Sequence, residues 1–561
     1  MVKNLLKNSK KIIRRQQSNI LSAAAIITFA NFLSAALGFV RERILVSYFF
    51  KSPALRAQLD AYRIASRLPE FAFQLLVIGA LSAAFIPVFS KYLNKNKKEA
   101  YLISSSIINL VLLAFGIVSI IIFIFAYQFN DLITSTNFTP SQIALAAKLT
   151  RIMLFAQLFF TFSNFLTGII QSQRRFLIPA LSPLAHNLGI IAGIILLTPT
   201  FGIYSAAIGI VFGAFLHLAF QLPLAKQLGF SYKLTIKLKH LGVKEMIRLI
   251  PPRTLAISVT QIELLALSFF ATALTTGTLT IFELAQRLIS APIRVFSVPI
   301  GQASLPFLSH QSNPKMLFKF KRTFLSSLHQ ILYLAFPAGI ILLVLRIPMV
   351  RILYGAKNFP WSATLLTGKT VAILSLSIFA QSAIHLLNRT FYALENTKKP
   401  LLIALFSVIL NISLAASFTF IFKFGILGLA TAITIASIFQ ATFLLITLSR
   451  SIGGFPAKDL LLPPFKMFIA TLFTGIFLWV PMRLLDQFVF DTTRTLPLIL
   501  LTIIAGISGS LVYIGLSILF GIKELKSFST LIKRIGNWHK VLDQTEEVIE
   551  STSQAQEIKP V

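Results

Sequence analysis

The sequence predicts an all-α polytopic membrane protein with 14 transmembrane helices, arranged as two six-helix bundles related by parallel pseudo-symmetry and followed by two further helices. Three observations lead to this fold class. The chain of 561 residues is 56% hydrophobic and only 12% charged, with a mean hydropathy of +0.80, whereas a soluble domain of this size carries far more charge. Its apolar residues gather in runs long enough to cross a bilayer, which takes about 20 residues. The pattern of polar residues within these runs also repeats along the chain.

Fourteen apolar runs separated by short connections are the candidate spans. Their centres lie near residues 30, 78, 114, 157, 187, 213, 263, 293, 333, 375, 411, 436, 473 and 508. The second and eighth runs are interrupted by charges and prolines. The first run is too long for a signal peptide and has no convincing cleavage site, so we expect a retained first helix.

The basic residues indicate the orientation of the chain. Most of the 52 lysines and arginines fall in the two terminal segments and in the even-numbered connections, and cytoplasmic segments are the ones enriched in these residues. Both termini are therefore expected in the cytoplasm, which requires an even number of spans. The formal net charge of +34 thus lies mainly on one membrane face and does not indicate a nucleic-acid partner.

Two pairs of spans show the repeat. Asn187 in the fifth span is followed by Gly202 after 15 residues, and Asn411 in the eleventh is followed by Gly425 after 14. The two interrupted spans share an arginine and two prolines in the same order: Arg67, Pro69 and Pro87 in the second span, and Arg287, Pro292 and Pro306 in the eighth. Because the repeat unit has six spans, both copies have the same topology, as in repeats related by an axis along the membrane normal. We expect the prolines to break both helices.

These features predict six segments. They are a basic cytoplasmic N-terminus (1–17), helices 1–6 (18–228), a basic cytoplasmic linker (229–245), helices 7–12 (246–450), helices 13 and 14 (451–522), and a cytoplasmic tail with an amphipathic helix and disordered residues (523–561).

Charged residues within the spans indicate an internal cavity, because a charge at the bilayer centre costs about 2.5–3.5 kcal/mol on insertion scales. At 100° per residue, two helices each gather such residues on one face: Asp60, Arg63 and Arg67 on the second, and Glu283, Arg287 and Arg294 on the eighth, where Gly301 shares the face. The first helix adds Arg41 and the seventh adds Glu263. As an alternative, these side chains reach the headgroups or pair internally, and Arg41 with Glu42 is a neighbouring acid and base at a helix end.

The arginines in this set outnumber the acids, and arginine suits bidentate contacts with phosphate. An anionic ligand is therefore expected. The chain has no P-loop, so transport driven by its own ATPase is excluded. It has no cysteine, which excludes disulfides and Cys-ligated metals. Without a cluster of carboxylates or histidines on a loop, we expect no metal site, no cofactor and no enzymatic activity.

Three stretches, GFVRERILVSYFF, LDAYRIASRLPE and GALSAAFIPVFS, resemble the N-terminal signature of the MurJ/MviN lipid II flippases of the MOP exporter superfamily. RLISAPIRVFSVPIGQASLPFLS is similar to the eighth helix of that family, and RILYGAKNFPWSA to its connection between helices 9 and 10. The resemblance extends over essentially the whole chain.

The resemblance implies a V-shaped pair of bundles around a cationic cavity, in a bacterial cell membrane protein that is expected to be monomeric. Such proteins carry lipid-linked peptidoglycan precursor, lipid II, from the inner to the outer leaflet by alternating access, as cell wall synthesis requires. The undecaprenyl tail is expected in a groove formed by helices 13 and 14. By position, Arg41 and Arg287 match two cavity arginines of the family, and Asp60 matches its helix-2 aspartate.

The chain departs from the family pattern after the Leu-Pro of helix 2. Phe73, Gln74 and Ile78 stand where the family has an arginine pair and a glutamate. We expect Arg63 or Arg294 to replace the missing arginine.

The expected roles of the charged residues follow from this reading. Arg41, Arg287 and Arg294 would hold the diphosphate, and Arg63 or Arg67 would receive it. Asp60, Glu263 and Glu283 would balance the empty cavity. The alternatives are a flippase for another polyprenyl-linked oligosaccharide, a MATE-like small-molecule exporter, and a non-transporting membrane scaffold or glycan-synthesis enzyme.

Overall fold

The computed structural model describes residues 20–525 except 82–84, 174, 356–357 and 493. All regular secondary structure within these residues is helical, as predicted. The predicted N-terminal segment 1–17 and the predicted tail beyond residue 525 lie outside the described residues.

In the described part of the chain, the first half (residues 20–228) forms eight helices. They are α1 (Ile20–Phe49), α2 (Pro53–Phe73), α3 (Ile86–Leu93), α4 (Lys97–Ile124), α5 (Ala126–Leu132), α6 (Pro140–Ser172), α7 (Leu177–Phe201) and α8 (Tyr204–Gln227).

The remaining described residues continue with α9, which leads into the second half (residues 278–525). The helices are α9 (Leu241–Thr272), α10 (Thr278–Pro292), α11 (Val298–His310), α12 (Leu317–Val344), α13 (Arg346–Tyr354), α14 (Trp361–Ser375), α15 (Ile378–Ala393), α16 (Lys398–Ala416), α17 (Gly425–Ser451), α18 (Ala457–Phe488) and α19 (Thr495–Leu519).

Ten of the described helices are long and apolar enough to cross a membrane. The count is eleven if α14 and α15, which are bent by 48° at their junction, form one span. Each of the fourteen predicted centres falls within a helical segment. The structure therefore confirms a helical protein with many membrane-capable helices, whereas fourteen spans remain a prediction.

The two interrupted helices change geometry in π-helical segments. These segments are Gln74–Ile78, which directly follows α2, and Ile293–Ser297, which joins α10 to α11. The prolines are distributed around them: Pro69 inside α2, Pro87 in the first turn of α3, Pro292 at the end of α10, and Pro306 inside α11. Pro69 and Pro306 thus lie within continuous helix, whereas Pro292 directly precedes a π-helical segment.

The connections between helices gather at two ends of the molecule. We call them the latched end, where the two halves are packed together, and the split end, where each half has its own core. The latched end holds the connections near residues 51, 136, 202, 275, 358 and 491, and the split end holds those near 95, 173, 235, 312, 395 and 454. At the latched end the Ser135 amide donates to Thr272 Oγ1 at 3.0 Å, and Asn358 Nδ2 donates to the Ser47 carbonyl at 2.8 Å. These contacts connect the first half with later parts of the chain.

The hydrophobic cores show the same asymmetry. One large core at the latched end combines both halves, with Leu45 and Leu284 both fully buried in it. Toward the split end each half has its own core, around Phe165 in the first half and Phe324 in the second. The halves are therefore packed together at one end and diverge toward the other.

The linker between the halves lies against the first half. Asn109 Nδ2 donates to the carbonyls of Lys233 and Thr235, both at 2.9 Å, and the Tyr101 hydroxyl donates to the Leu228 carbonyl at 2.7 Å. The linker and the start of α9 are thus fixed to α4, so α9 belongs to the first half at its beginning.

Candidate functional site

Charged side chains from α1, α2 and α10 meet where the two halves face each other. Glu42, with only 1% of its side chain exposed, is the centre of this group. Its Oε1 accepts from Arg41 Nη2 at 3.0 Å and lies 3.3 Å from Arg287 Nη2. Its Oε2 accepts from Arg63 Nη2 at 2.5 Å. One buried carboxylate therefore holds three guanidinium groups.

Glu283 on α10 continues the group toward α2. Its Oε2 lies 3.2 Å from Arg63 Nη1, and its Oε1 accepts a hydrogen bond from Arg67. Arg63 thus bridges the two carboxylates. We call these six residues the arginine network: Arg41, Glu42, Arg63, Arg67, Glu283 and Arg287. Its four guanidiniums and two carboxylates leave a surplus of two positive charges.

The asparagines of the sequence repeat each hold a charged residue on another helix. Asn187 on α7 accepts from Arg41 Nη1 at 3.1 Å and donates to the Ser34 hydroxyl at 3.2 Å. Asn411 on α16 donates to Glu263 Oε1 on α9 at 2.5 Å. Asn187 therefore fixes the position of a network arginine, whereas Glu263 lies outside the network.

Asp60 has its hydrogen-bond partners outside the arginine network. Its Oδ2 accepts from the Gly277 amide at 2.5 Å, and its Oδ1 accepts from the Thr280 amide at 3.1 Å and the Thr280 hydroxyl at 2.7 Å. The carboxylate thus caps the positive N-terminal end of α10. It joins α2 of the first half to α10 at the latched end.

Arg294, the last predicted site residue, is exposed on the π-helical segment beyond Arg287. Of the eight predicted residues, the structure brings Arg41, Arg63, Arg67, Glu283 and Arg287 together. Asp60 and Glu263 have their hydrogen-bond partners outside this group, and their expected role in balancing the arginines stays a prediction.

Glu42 was not among the predicted site residues, although it follows the predicted Arg41 in the stretch GFVRERI. The position of the missing family arginine, Phe73, is 8% exposed and packs against Phe160, with ring centroids 6.2 Å apart. Phe73 therefore belongs to the core of the first half.

A helical membrane protein with halves that meet at one end, diverge at the other and hold surplus arginines between them has the architecture of a carrier for anionic substrates. Comparison with known proteins identifies the family. A family model described as Lipid II flippase MurJ matches residues 45–498. The chain belongs to this family, which consists of transporters and not of enzymes.

Curated relatives cover most of the chain at modest identity. A probable lipid II flippase MurJ of Bdellovibrio bacteriovorus is 25% identical over 521 residues, which is 91% of this chain and 97% of the relative. The lipid II flippase MurJ of Burkholderia cenocepacia is 24% identical, over 77% of this chain and 84% of the relative.

Solved structures agree with the fold. The chain is similar to a lipid II flippase MurJ in an inward closed conformation, with a TM-score of 0.71, 26% identity, and coverage of 88% of this chain and 99% of that one. It also resembles an inward-facing multidrug resistance MATE family transporter of the MOP superfamily, with a TM-score of 0.61 and 15% identity over 75% of this chain and 94% of the transporter. The second likeness supports the fold alone.

Proposed function

We propose that this protein is a lipid II flippase. It carries the undecaprenyl-diphosphate-linked peptidoglycan precursor from the inner to the outer leaflet by alternating access. The observation that carries this proposal is the surplus of two positive charges in the arginine network, which lies between the two halves. A diphosphate suits this surplus, because guanidinium groups bind phosphate oxygens with two parallel hydrogen bonds.

The geometry supports an exchange of partners as the first step of transport. In the empty protein Glu42 and Glu283 hold the arginines, and Arg63 and Arg67 of α2 connect to Glu283 of α10. A diphosphate entering from the split end would compete with these carboxylates for the same guanidiniums. Once Arg67 and Glu283 separate, the two halves lose a contact between α2 and α10, and the latched end can open.

The overall arrangement is part of the proposal. We infer two six-helix bundles, residues 18–228 and 246–450, related by an axis along the membrane normal, followed by helices 13 and 14 in residues 451–522. With 14 spans and both termini in the cytoplasm, the split end faces the cytoplasm. The protein then faces inward in the described state.

The lipid tail is proposed to lie along helices 13 and 14, which correspond to α18 and α19. An apolar recess of about 610 Å³ supports this placement. It lies between α12 and the beginning of α18, lined by Phe336, Leu461, Phe465 and Phe468 among others. Such a recess offers an apolar path beside the space between the halves.

Complementation tests the proposed substrate. The native lipid II flippase of a tractable bacterium is depleted while this protein is expressed, and growth is measured. We expect growth to be restored by the wild-type chain and lost with Arg41→Ala or Arg287→Ala, each of which removes a ligand of the diphosphate. Arg494→Ala is a matched control, because Arg494 is 80% exposed and lies far along the chain in the last connection.

Failure of the wild-type chain to restore growth despite confirmed membrane expression would count against lipid II. Restored growth with both cavity variants would show that Arg41 and Arg287 are not needed to hold the diphosphate. A second candidate is a flippase for another polyprenyl-linked oligosaccharide, favoured by Phe73 at the position of a family arginine. It predicts no complementation but transport of a different diphosphate-linked lipid in vesicles.

A further inference from the structure

The face of the eighth predicted helix that carries the network residues continues beyond them toward the split end. Glu283 and Arg287 of α10 reach residues of the first half, so this face lines the space between the halves. The same face continues through Arg294 to Gly301, which is buried on α11. Gly301 is not part of the arginine network. It matters because a side chain of another helix packs over it.

Arg389 of α15 lies over Gly301. A Cβ atom built at Gly301 would be 3.3 Å from Arg389 Cδ, closer than such atoms usually approach, and 3.8 Å from the His385 carbonyl oxygen. Because Gly301 has no side chain, the aliphatic part of the Arg389 side chain can pack directly against α11. α15 also packs against the π-helical segment that carries Arg294. The two arginines thus belong to one surface of the second half.

This surface is polar and open. His385 is exposed, Arg389 is half-buried, and Tyr392 is 37% exposed on the same face of α15, whereas Leu386 and Phe391 on its other faces are fully buried. The spacing of 385, 389 and 392 is that of neighbours along one helix face. The side of α15 next to Gly301 is therefore accessible, although α15 is embedded among other helices.

The two arginines differ from those of the network in having no ion pair, although Glu70 of α2 acts on Arg294 from a greater distance. Among the described residues, neither Arg294 nor Arg389 has a carboxylate within ion-pair distance, whereas every network arginine has one. Arg294 and Gly301 are separated by about two helical turns, roughly 10 Å. The second half therefore carries a second group of positive charge between the network and the split end.

We propose that Arg389 and Arg294, with His385 beside them, form an entry site for the diphosphate of the lipid-linked substrate, distinct from the arginine network. The headgroup first contacts this entry site and is then transferred to Arg287 and Arg41. Since neither entry-site arginine is held in an ion pair, an anion can be captured there without breaking one. This inference rests on the proposed function, because it assigns a step to the same substrate.

The test separates capture of the substrate from its translocation. Purified wild-type protein and variants are reconstituted in vesicles, and flipping is measured against lipid II concentration, while binding of undecaprenyl diphosphate is measured in detergent. We expect Arg389→Gln to weaken binding and raise the half-saturating lipid II concentration about tenfold, with the maximal rate nearly unchanged. Arg389→Lys should recover part of the loss. Arg287→Gln should lower the maximal rate itself.

Arg450→Gln is the matched control, since Arg450 is an exposed arginine in the last turn of α17, at the same end of the molecule. Gly301→Val provides a second variant that keeps the charge but displaces the Arg389 stem, and it should also raise the half-saturating concentration. Unfolding temperatures show whether each variant is folded.

The outcomes distinguish the entry site from the proposed function. If the wild-type protein flips lipid II but Arg389→Gln and Gly301→Val behave like the control, the entry site is wrong and the proposed function stands. If the wild-type protein neither binds undecaprenyl diphosphate nor flips lipid II, both proposals are wrong.

Discussion

Glu42 shows how a single buried side chain organises the site. Removing a charge from water is costly, and a buried ion pair is tolerated when its partners compensate each other. Glu42 is 1% exposed and has three guanidiniums around it, from Arg41, Arg63 and Arg287. Two of these belong to the first half and one to the second. The carboxylate therefore holds the two halves in one electrostatic group.

We expect Glu42→Gln to destabilise the protein and to impair transport. The amide keeps the shape of the side chain but leaves three arginines without their shared carboxylate, and removing one member of a buried pair costs about 3–5 kcal/mol. Thermal unfolding in detergent should show a marked loss of stability, and vesicle assays at least about a tenfold lower flipping rate.

The control for Glu42 is Glu245→Gln. Glu245 pairs with Lys91 at 3.1 Å, but their side chains are 40% and 54% exposed, and exposed pairs contribute roughly 0–1 kcal/mol. Equal effects of the two substitutions would mean that Glu42 has no special role.

The sequence predicts much of the site, and its failures at the residue level have a common cause. Arg63 and Arg67, one turn apart, were correctly placed on one face of a helix. Glu42 was read as the neighbour of Arg41, because its other partners are 21 and 245 residues away in the chain. The hydrogen bond from the Gly277 amide to Asp60 is likewise not predictable, because no local pattern shows that this amide needs an acceptor. Helical spacing predicts a face but not its partners.

Within the first half, α7 and α8 pack closely through glycines spaced four residues apart. A Cβ atom at Gly189 would lie 2.6 Å from Gly213 Cα, and one at Gly193 would lie 2.5 Å from Gly209 Cα. Small residues at this spacing let membrane helices approach closely. This packing fixes α7, which carries Asn187 and through it Arg41.

Gly193→Val should separate α7 from α8, because the added side chain meets backbone atoms that cannot move aside. Overpacking of this kind costs about 1–3 kcal/mol. The expected result is a lower unfolding temperature and, since Asn187 shifts with α7, a lower flipping rate.

Gly116→Val on α4 is the matched control, since a Cβ atom there meets nothing within 4 Å. Its unfolding temperature should stay near that of the wild type. A Gly193→Val protein as stable as this control would contradict the close packing of α7 and α8.

At the element level, apolar run length located the helices but not their internal geometry. All predicted centres fall in helical segments, yet α2 is too rich in charge to meet a simple apolar criterion. The π-helical segments Gln74–Ile78 and Ile293–Ser297 were not predicted, because a widened turn depends on packing and leaves no periodic pattern in the sequence. The prolines indicated which helices are irregular, but not where.

At the scale of the whole molecule, the shared core and the polar contacts at the latched end hold the two halves together. Alternating access requires these contacts to break. Asn137 Nδ2 donates to the Ala273 carbonyl at 2.6 Å, which places two loop residues side by side across this end. Because the chain has no cysteine, cysteines introduced at this end would be the only thiols that a crosslinker can modify.

We expect the double variant Asn137→Cys, Ala273→Cys, joined by a short reducible crosslinker, to bind substrate but not to flip it. Flipping should return after reduction. The single variants treated with the same crosslinker are the controls. Undiminished flipping by the crosslinked protein would show that the latched end does not open during transport.

Transport by the whole molecule should also depend on membrane potential. An anionic headgroup that leaves an inside-negative cell gains about 2.3 kcal/mol per charge per 100 mV. We therefore expect an inside-negative potential to accelerate flipping by the purified protein in vesicles, and depolarisation to slow it. A rate independent of potential would contradict this source of energy.

The surplus of two positive charges in the arginine network has a kinetic consequence for the transport cycle. A bound diphosphate with two negative charges neutralises the surplus, so the loaded carrier crosses the membrane field with little net charge. The empty carrier returns with the surplus of two positive charges uncompensated, and this movement toward the negative interior is electrogenic. Voltage should thus drive the resetting of the carrier and not the outward step. Transient currents should accordingly be seen in empty protein, and they should shrink when the diphosphate is bound.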